Sequence, residues 1–161
     1  MTPQDFYKLS IPHINGTDTI NFSEFHGKKV LLVNVASKCG YTYQYKGLQS
    51  LHEQFSEDLV VIGFPCNQFL FQEPGSDQRI DSFCKQTYNV EFLMSTKIKV
   101  KGDSIHPVYD WLTRKEYNGK GDYKVSWNFN KFLVNENGEL THYFDAKVKP
   151  KDAVLLEAIK S

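Results

Sequence analysis

The chain has 161 residues, with 19 basic against 19 acidic residues and a formal net charge of zero. That length suffices for one domain, residues 1–161, with a sizeable core, and the charge balance argues against nucleic acid as a partner, because nucleic-acid binders carry a basic excess. No apolar run approaches membrane-spanning length, and the five histidines and three cysteines are not spaced as a zinc site.

The start, MTPQDFYKLS, lacks the charged beginning and apolar centre of a signal peptide. Three cysteines cannot all pair internally, and none forms a C-x-x-C. Working thiols in a reducing cytoplasm are therefore expected rather than a disulfide scaffold. No residue pattern calls for a metal or another cofactor.

Phe6–Leu9 and Thr19–Phe22 flank Asn15-Gly16, a strong turn signal, which predicts a small N-terminal β-hairpin. Ser23–His26 reads as one helical turn. Val30–Val35 is then a nearly unbroken apolar, β-branched run, the pattern of a central strand covered on both faces. Ala36-Ser37-Lys38 end it, Cys39-Gly40 follow, and Gln44–Phe55 places Leu48, Leu51 and Phe55 on one helical face. Cys39 thus falls where a buried strand turns toward a helix. Free backbone N–H groups and the helix dipole favour a thiolate there, and Lys38 adds a positive charge. A small, inert, buried cysteine fits the same position.

Leu59–Phe64 is a second short apolar strand, which makes a parallel βαβ unit with a right-handed crossover. Strands one and two then deliver Cys39 and the Asn67–Gln72 loop to the same sheet edge, the ligand side of a parallel sheet. Ser76 caps a predicted helix over Asp77–Tyr88, with Ile80, Phe83, Cys84 and Thr87 on one side. Phe92–Val100 holds a short strand at most. Pro107 opens a helix that buries Val108, Trp111 and Leu112, and Glu116–Tyr123 reads as a loop. Phe129–Val134 and Leu140–Phe144 flank Asn137-Gly138 as a second hairpin, and Pro150 opens a last helix facing inward through Leu155 and Ile159. A βαβ half joined to a ββα half, with a cysteine after the first core strand, describes an α/β, thioredoxin-like fold: a central mixed sheet flanked by helices, with an N-terminal β-hairpin.

Three blocks then stand out: NVASKCGYT (Asn34–Thr42), GFPCNQF with QEPGSD (Gly63–Phe69, Gln72–Asp77) and WNFNKFLV (Trp127–Val134). In order and spacing they resemble the signature blocks of the glutathione peroxidase family, and the resemblance covers nearly the whole chain. It implies a peroxidase with Cys39 as nucleophile, where most mammalian members carry selenocysteine, and with Gln72, Trp127 and Asn128 beside it. Reducing a hydroperoxide needs a nucleophilic sulfur and donors that hold the thiolate and the leaving oxygen. The Gln and Asn amides and the indole N–H are neutral donors that do so without quenching the thiolate in an ion pair. Read alone, Gln72 is equally a loop residue, Trp127 a core anchor and Asn128 a turn former.

QEPGSDQRIDSFC is similar to the corresponding segment of the cysteine-containing, phospholipid-hydroperoxide or two-cysteine members, which implies that Cys84 resolves the Cys39 sulfenic acid and that thioredoxin, rather than glutathione, recycles the disulfide. A disulfide needs Cα atoms within about 7 Å, so the helix carrying Cys84 is expected to unwind locally on oxidation. A buried structural cysteine is the alternative for Cys84, and it is the expected role of Cys66. The chain departs from the family pattern at Tyr43 and Leu93, where proline is usual, and at Leu70 and Phe71, where glycine and lysine are usual. Leu70 and Phe71 put an apolar rim beside Gln72 that suits bulky or lipid-like hydroperoxides. The long interface insertion of tetrameric members is absent, so a monomer is expected. The competing roles are a peroxide sensor or relay that passes oxidation to a partner protein, a glutathione-recycled one-cysteine peroxidase, a general thiol–disulfide oxidoreductase (disfavoured by the missing C-x-x-C) and a non-enzymatic interaction domain.

Overall fold

A computed structural model describes residues 4–161. The first three residues, which the single-domain and leader readings also span, lie outside the described residues.

Phe6–Lys8 forms a 3₁₀ turn, and Asp5 caps it by accepting the Tyr7 N–H at 2.9 Å. The first hairpin strand therefore lies later than the sequence predicts: β1 is Ser10–Pro12, paired antiparallel with β2, Thr19–Asn21. The side-chain cap and the burial of Phe6 against Phe22 and Trp111 outweigh the strand-like appearance of this segment. A second 3₁₀ turn, Phe22–Phe25, supplies the expected helical turn.

The central strand β3 is Lys29–Val35, buried at every position. It pairs in parallel with β4, Leu59–Pro65, after the helix α1, Gln44–Phe55. Alternate side chains of β3 feed opposite cores, as period-two geometry requires. Val30 and Leu32 join Phe6, Phe22, Ile62 and Phe64 on one face. Leu31, Val33 and Val35 meet Leu48 and Leu51 of α1 on the other.

The helix α2 spans Asp77–Tyr88, and Ser76 caps it by accepting the Arg79 N–H. It buries Ile80 and Cys84. Phe83 is only half-buried and Thr87 is exposed, so the buried stripe is narrower than predicted. Leu93–Met94, β5, is parallel to β4. The helix α3, Pro107–Thr113, closes the first core with Val108, Trp111 and Leu112. The Glu116–Tyr123 segment is not all loop: Lys115–Asn118 forms a short helix, α4, which ends at Gly119 with φ +74°. The Asn118 side chain holds this turn, donating to the Trp111 and Gly121 carbonyls.

The second hairpin is β6, Lys131–Val134, with β7, Leu140–Phe144, and the sheet order is β5-β4-β3-β6-β7. The last helix, α5, covers Ala153–Lys160 and buries Leu155 and Ile159; its N-cap is Asp152, so Pro150 precedes the helix rather than opening it. Lys131 is fully buried on β6 and its ammonium donates to the Ala146 and Val148 carbonyls. Burial lowers its pKa to about 7, against the pull of Asp145 and Asp152.

This topology gathers chain ends at one sheet edge. β3 and β4 are parallel, so the Cys39 loop and the Asn67–Gly75 loop leave at the same edge. β6 runs antiparallel to β3, so the turn entering β6 lies there too.

Candidate active site

Asn34 is a buried polar residue inside the apolar β3 run, and it ties β3 to the turn before β6. Its Nδ2 donates to the Trp127 carbonyl at 2.9 Å, and its Oδ1 accepts the Asn130 N–H at 3.0 Å. Its own carbonyl accepts the Phe129 N–H at 2.6 Å. Phe129 sits at φ +62°, the left-handed region, so these three bonds hold a turn that a bulky residue does not adopt freely. Asn34 thereby fixes Trp127 and Asn128 although 93 residues separate it from Trp127.

Cys39 lies in the loop between β3 and α1, half-buried. Thr42 shapes the loop. Its Oγ1 accepts the Cys39 N–H at 2.9 Å and donates to the Ala36 carbonyl at 2.8 Å. The Tyr41 N–H then points at the sulfur, 3.3 Å away. Among the described residues, no other donor reaches it. This is a free N–H just ahead of a helix, placed to donate to the sulfur.

Gln72 is placed by its backbone. Its carbonyl accepts the N–H of Lys38, the residue before Cys39, at 3.0 Å, and its N–H reaches the Phe69 carbonyl at 3.3 Å. Its side chain meets Asn128: the Asn128 Nδ2 donates to the Gln72 Oε1 at 2.9 Å. That bond orients the Gln72 amide so that its Nε2 is left to donate elsewhere. Among the described residues, neither this nitrogen nor the Trp127 indole N–H has an acceptor, and the Asn128 Oδ1 is buried without a partner. Trp127 packs on Phe69 with ring centroids 5.8 Å apart. Gln72, Trp127, Asn128 and the Cys39 loop are thus assembled at one edge, with two spare neutral donors.

Leu70 and Phe71, just before Gln72, both take left-handed backbone at φ +53° and +52° and are 73% and 78% exposed. Position 70 is where the family pattern has glycine, which takes this conformation freely; Leu and Phe are strained there.

Cys84 stands apart. It is 1% exposed on the inner face of α2. Burial pushes its thiol up to about 12; the Tyr45 hydroxyl beside it pulls the other way, and Glu73 and Asp81 add to the rise. Cys66 is buried at the end of β4 and its thiol donates weakly to Gln68 Oε1 at 3.5 Å, while burial raises its pKa. That environment is structural: Gln68 Oε1 also accepts the Val100 N–H at 2.7 Å. All three cysteines are free.

Sequence reasoning missed Asn34, Thr42 and Glu73 as builders of the site. Asn34 was detectable as the one amide in KVLLVNV. Glu73 carried no signal, since a glutamate in a loop reads as solvated. It is 1% exposed.

The glutathione peroxidase family model matches residues 6–113. The chain is 44% identical over 147 residues to the glutathione peroxidase-like peroxiredoxin gpx1 of Schizosaccharomyces pombe, covering 91% of this chain and 92% of that one. The crystal structure of Trgpx in its apo form superposes with a TM-score of 0.73 at 36% identity, covering 99% and 98% of the two chains. A thiol:disulfide interchange protein of the thioredoxin family from Chlorobium tepidum TLS superposes with a TM-score of 0.69 at 11% identity, covering 99% of this chain and 98% of that one, so the fold is thioredoxin-like, as expected. Signature blocks, whole fold and overall sequence agree: the chain belongs to the glutathione peroxidase family.

Proposed function

We propose that this protein is a thiol peroxidase that reduces hydrogen peroxide and organic or lipid hydroperoxides, working as a monomer in the cytoplasm. Cys39 is the nucleophile. Its thiolate, held by the Tyr41 N–H, attacks the terminal peroxide oxygen. An S–O bond forms, the O–O bond breaks, and the leaving oxygen takes a proton to become water or an alcohol. Gln72 Nε2 and the Trp127 indole N–H steady the thiolate and the leaving oxygen, and Asn128 positions the Gln72 amide. Cys84 then attacks the sulfenic acid, a Cys39–Cys84 disulfide forms with loss of water, and thioredoxin reduces it.

The observation that carries this reading is the coincidence at one edge of a reachable sulfur with its N–H donor and the oriented Gln72–Asn128 amide pair. Steady-state peroxide reduction with two reductants in parallel, thioredoxin and glutathione with their reductases, tests it. Turnover with thioredoxin that Cys39→Ser abolishes and Cys84→Ser abolishes is the expected result. Full turnover in Cys39→Ser contradicts the reading. Glutathione turnover that survives Cys84→Ser makes Cys84 structural.

One observation favours a relay as a second reading. Cys84 is deeply buried with its thiol pushed up to about 12, which slows resolution and gives a partner protein time to capture the Cys39 sulfenic acid. A mixed disulfide trapped in Cys84→Ser is the signature of that role.

A further inference from the structure

Between the Cys39 loop and α2 lies a cleft of about 300 Å³. Ser37, Lys38 and Glu73 line one wall, and Arg79, Ile80 and Phe83 of α2 line the other. Glu73 is a buried carboxylate that the peroxidatic step does not use. Its Oε2 makes no hydrogen bond of normal geometry, and neither does the Ser37 hydroxyl beside it, which still lies near enough to pull the carboxyl down. Its backbone is pinned, with the N–H on Asn67 Oδ1 at 3.0 Å and the carbonyl on Lys97 Nζ at 3.1 Å. A buried carboxyl oxygen left without a well-formed hydrogen bond is costly and calls for an explanation.

The resolving step needs a base. The Cys84 thiol must lose its proton before it can attack, and burial opposes that loss. Phe83, the residue before Cys84, lines the cleft together with Glu73, so on the two-cysteine reading Cys84 would pass this cleft on its way to Cys39. We propose that Glu73 is the proton acceptor for Cys84 in the resolving step; the inference rests on the two-cysteine reading above. The Cys84 proton passes to the Glu73 carboxylate, and the thiolate attacks the Cys39 sulfur. The S–S bond forms, the S–OH bond breaks, and the leaving hydroxide takes the proton from Glu73 to become water. The carboxylate is restored, and only the sulfurs have changed oxidation state.

The surroundings suit this role. Burial raises the carboxyl above its ordinary range, while Ser37, Lys97 and Lys38 pull it back. The ionised carboxylate raises Tyr45 of α1, Cys66 just after β4 and Cys84 of α2 in turn, and Arg79 is the cation that α2 presents to the cleft. Glu73 and Cys84 therefore oppose one another's charge. Moving a proton between them keeps a single negative charge in the cleft.

Rapid mixing of the reduced full-length protein with one equivalent of hydrogen peroxide, quenched and assayed for sulfenic acid and for disulfide from pH 5 to 9, tests the relay. In the wild type the resolution rate climbs through a carboxyl ionisation lying above about 4.3. In Glu73→Gln the disulfide forms about 100-fold more slowly, sulfenic acid persists, and the acidic limb disappears, the rate climbing only toward the raised Cys84 thiol at about 12, beyond the scanned range. Ser37→Ala removes the hydroxyl that holds the carboxyl down, so the acidic limb moves to higher pH. An acidic limb that stays in place in Ser37→Ala overturns the relay. So does a Glu73→Gln disulfide rate within about twofold of wild type with an unchanged pH profile, provided the wild type forms the disulfide. A wild type that forms no Cys39–Cys84 disulfide overturns the two-cysteine reading, and the relay with it.

Discussion

The two thiols of the proposed reaction, Cys39 and Cys84, sit in opposite kinds of structure. Around Cys39 the chain is tied from three directions. Thr42 shapes the loop, the Gln72 carbonyl holds the Lys38 N–H, and Asn34 locks the Trp127–Asn130 turn. The sulfur itself stays reachable, with a donor already on it. Cys84 lies inside a complete helix, capped by Ser76 at one end and by Asn89 at φ +53° at the other. It is packed in the same core cluster as Tyr45. The first thiol is reachable as it stands; for the second to take part as proposed, α2 has to open first. In the proposed two-cysteine mechanism, peroxide attack then runs at a rate set by electrostatics and resolution at a rate set by a helix-opening equilibrium.

The difference is broken most severely on the Cys39 side. Gln72→Ala removes a preset donor and leaves Asn128 Nδ2 without its acceptor, so single-turnover oxidation of Cys39 falls by about 100-fold, while resolution in stopped-flow traces keeps its rate. Equal slowing of both phases contradicts the division. On the Cys84 side, Ser76→Ala deletes the α2 cap, which weakens the helix by about 1 kcal/mol. Thermal stability drops and the disulfide forms about fivefold faster, a mutation that harms the fold and speeds a step. A slower second phase in Ser76→Ala contradicts helix opening as the limit.

The dependence of stability on pH is the mildest probe of the same two regions. Lys131, on the strand leaving the Trp127–Asn130 turn, falls from 10.5 to about 7 on folding. The unfolded chain then binds the extra proton between those values, and stability rises with pH from about 7 upward. Cys84 rises from 9.0 to about 12, so the folded chain binds the extra proton there and stability falls as pH climbs past 9. The two windows overlap from 9.0 to 10.5, where the opposed slopes cancel, so urea melts should show a broad maximum there. Lys131→Met flattens the rise below it, and Cys84→Ala flattens the fall above it, each slope being no more than about 1.4 kcal/mol per pH unit.

Much of this was written into short stretches of sequence. The KVLLVNV run, the Leu48–Leu51–Phe55 spacing and Ser76 ahead of Asp77 are local signals, and each element formed where its pattern placed it. Once β3 and β4 are parallel, Cys39 and Gln72 must share an edge. What escaped was set by partners distant in sequence. Phe6–Lys8 turns because Asp5 caps it and because Phe6 packs under Trp111. The helix Lys115–Asn118 is a single turn held by the Asn118 side chain, too short for any periodicity. Lys131 reads as a surface charge until the segment after β7 brings the Ala146 and Val148 carbonyls over it. The strap from Asn34 to Trp127 spans 93 residues and has no local signature beyond one amide in an apolar strand.

Hydrogen exchange followed by mass spectrometry, on the reduced protein and on the protein oxidised by one equivalent of peroxide, tests most directly the claim that the Cys39 site is preset while α2 must open. The amides of Phe83–Tyr88 should lose protection on oxidation, while β3 and the Asn34-bonded amides of Phe129 and Asn130 stay protected in both forms. Equal protection of Phe83–Tyr88 in the two forms contradicts the claim.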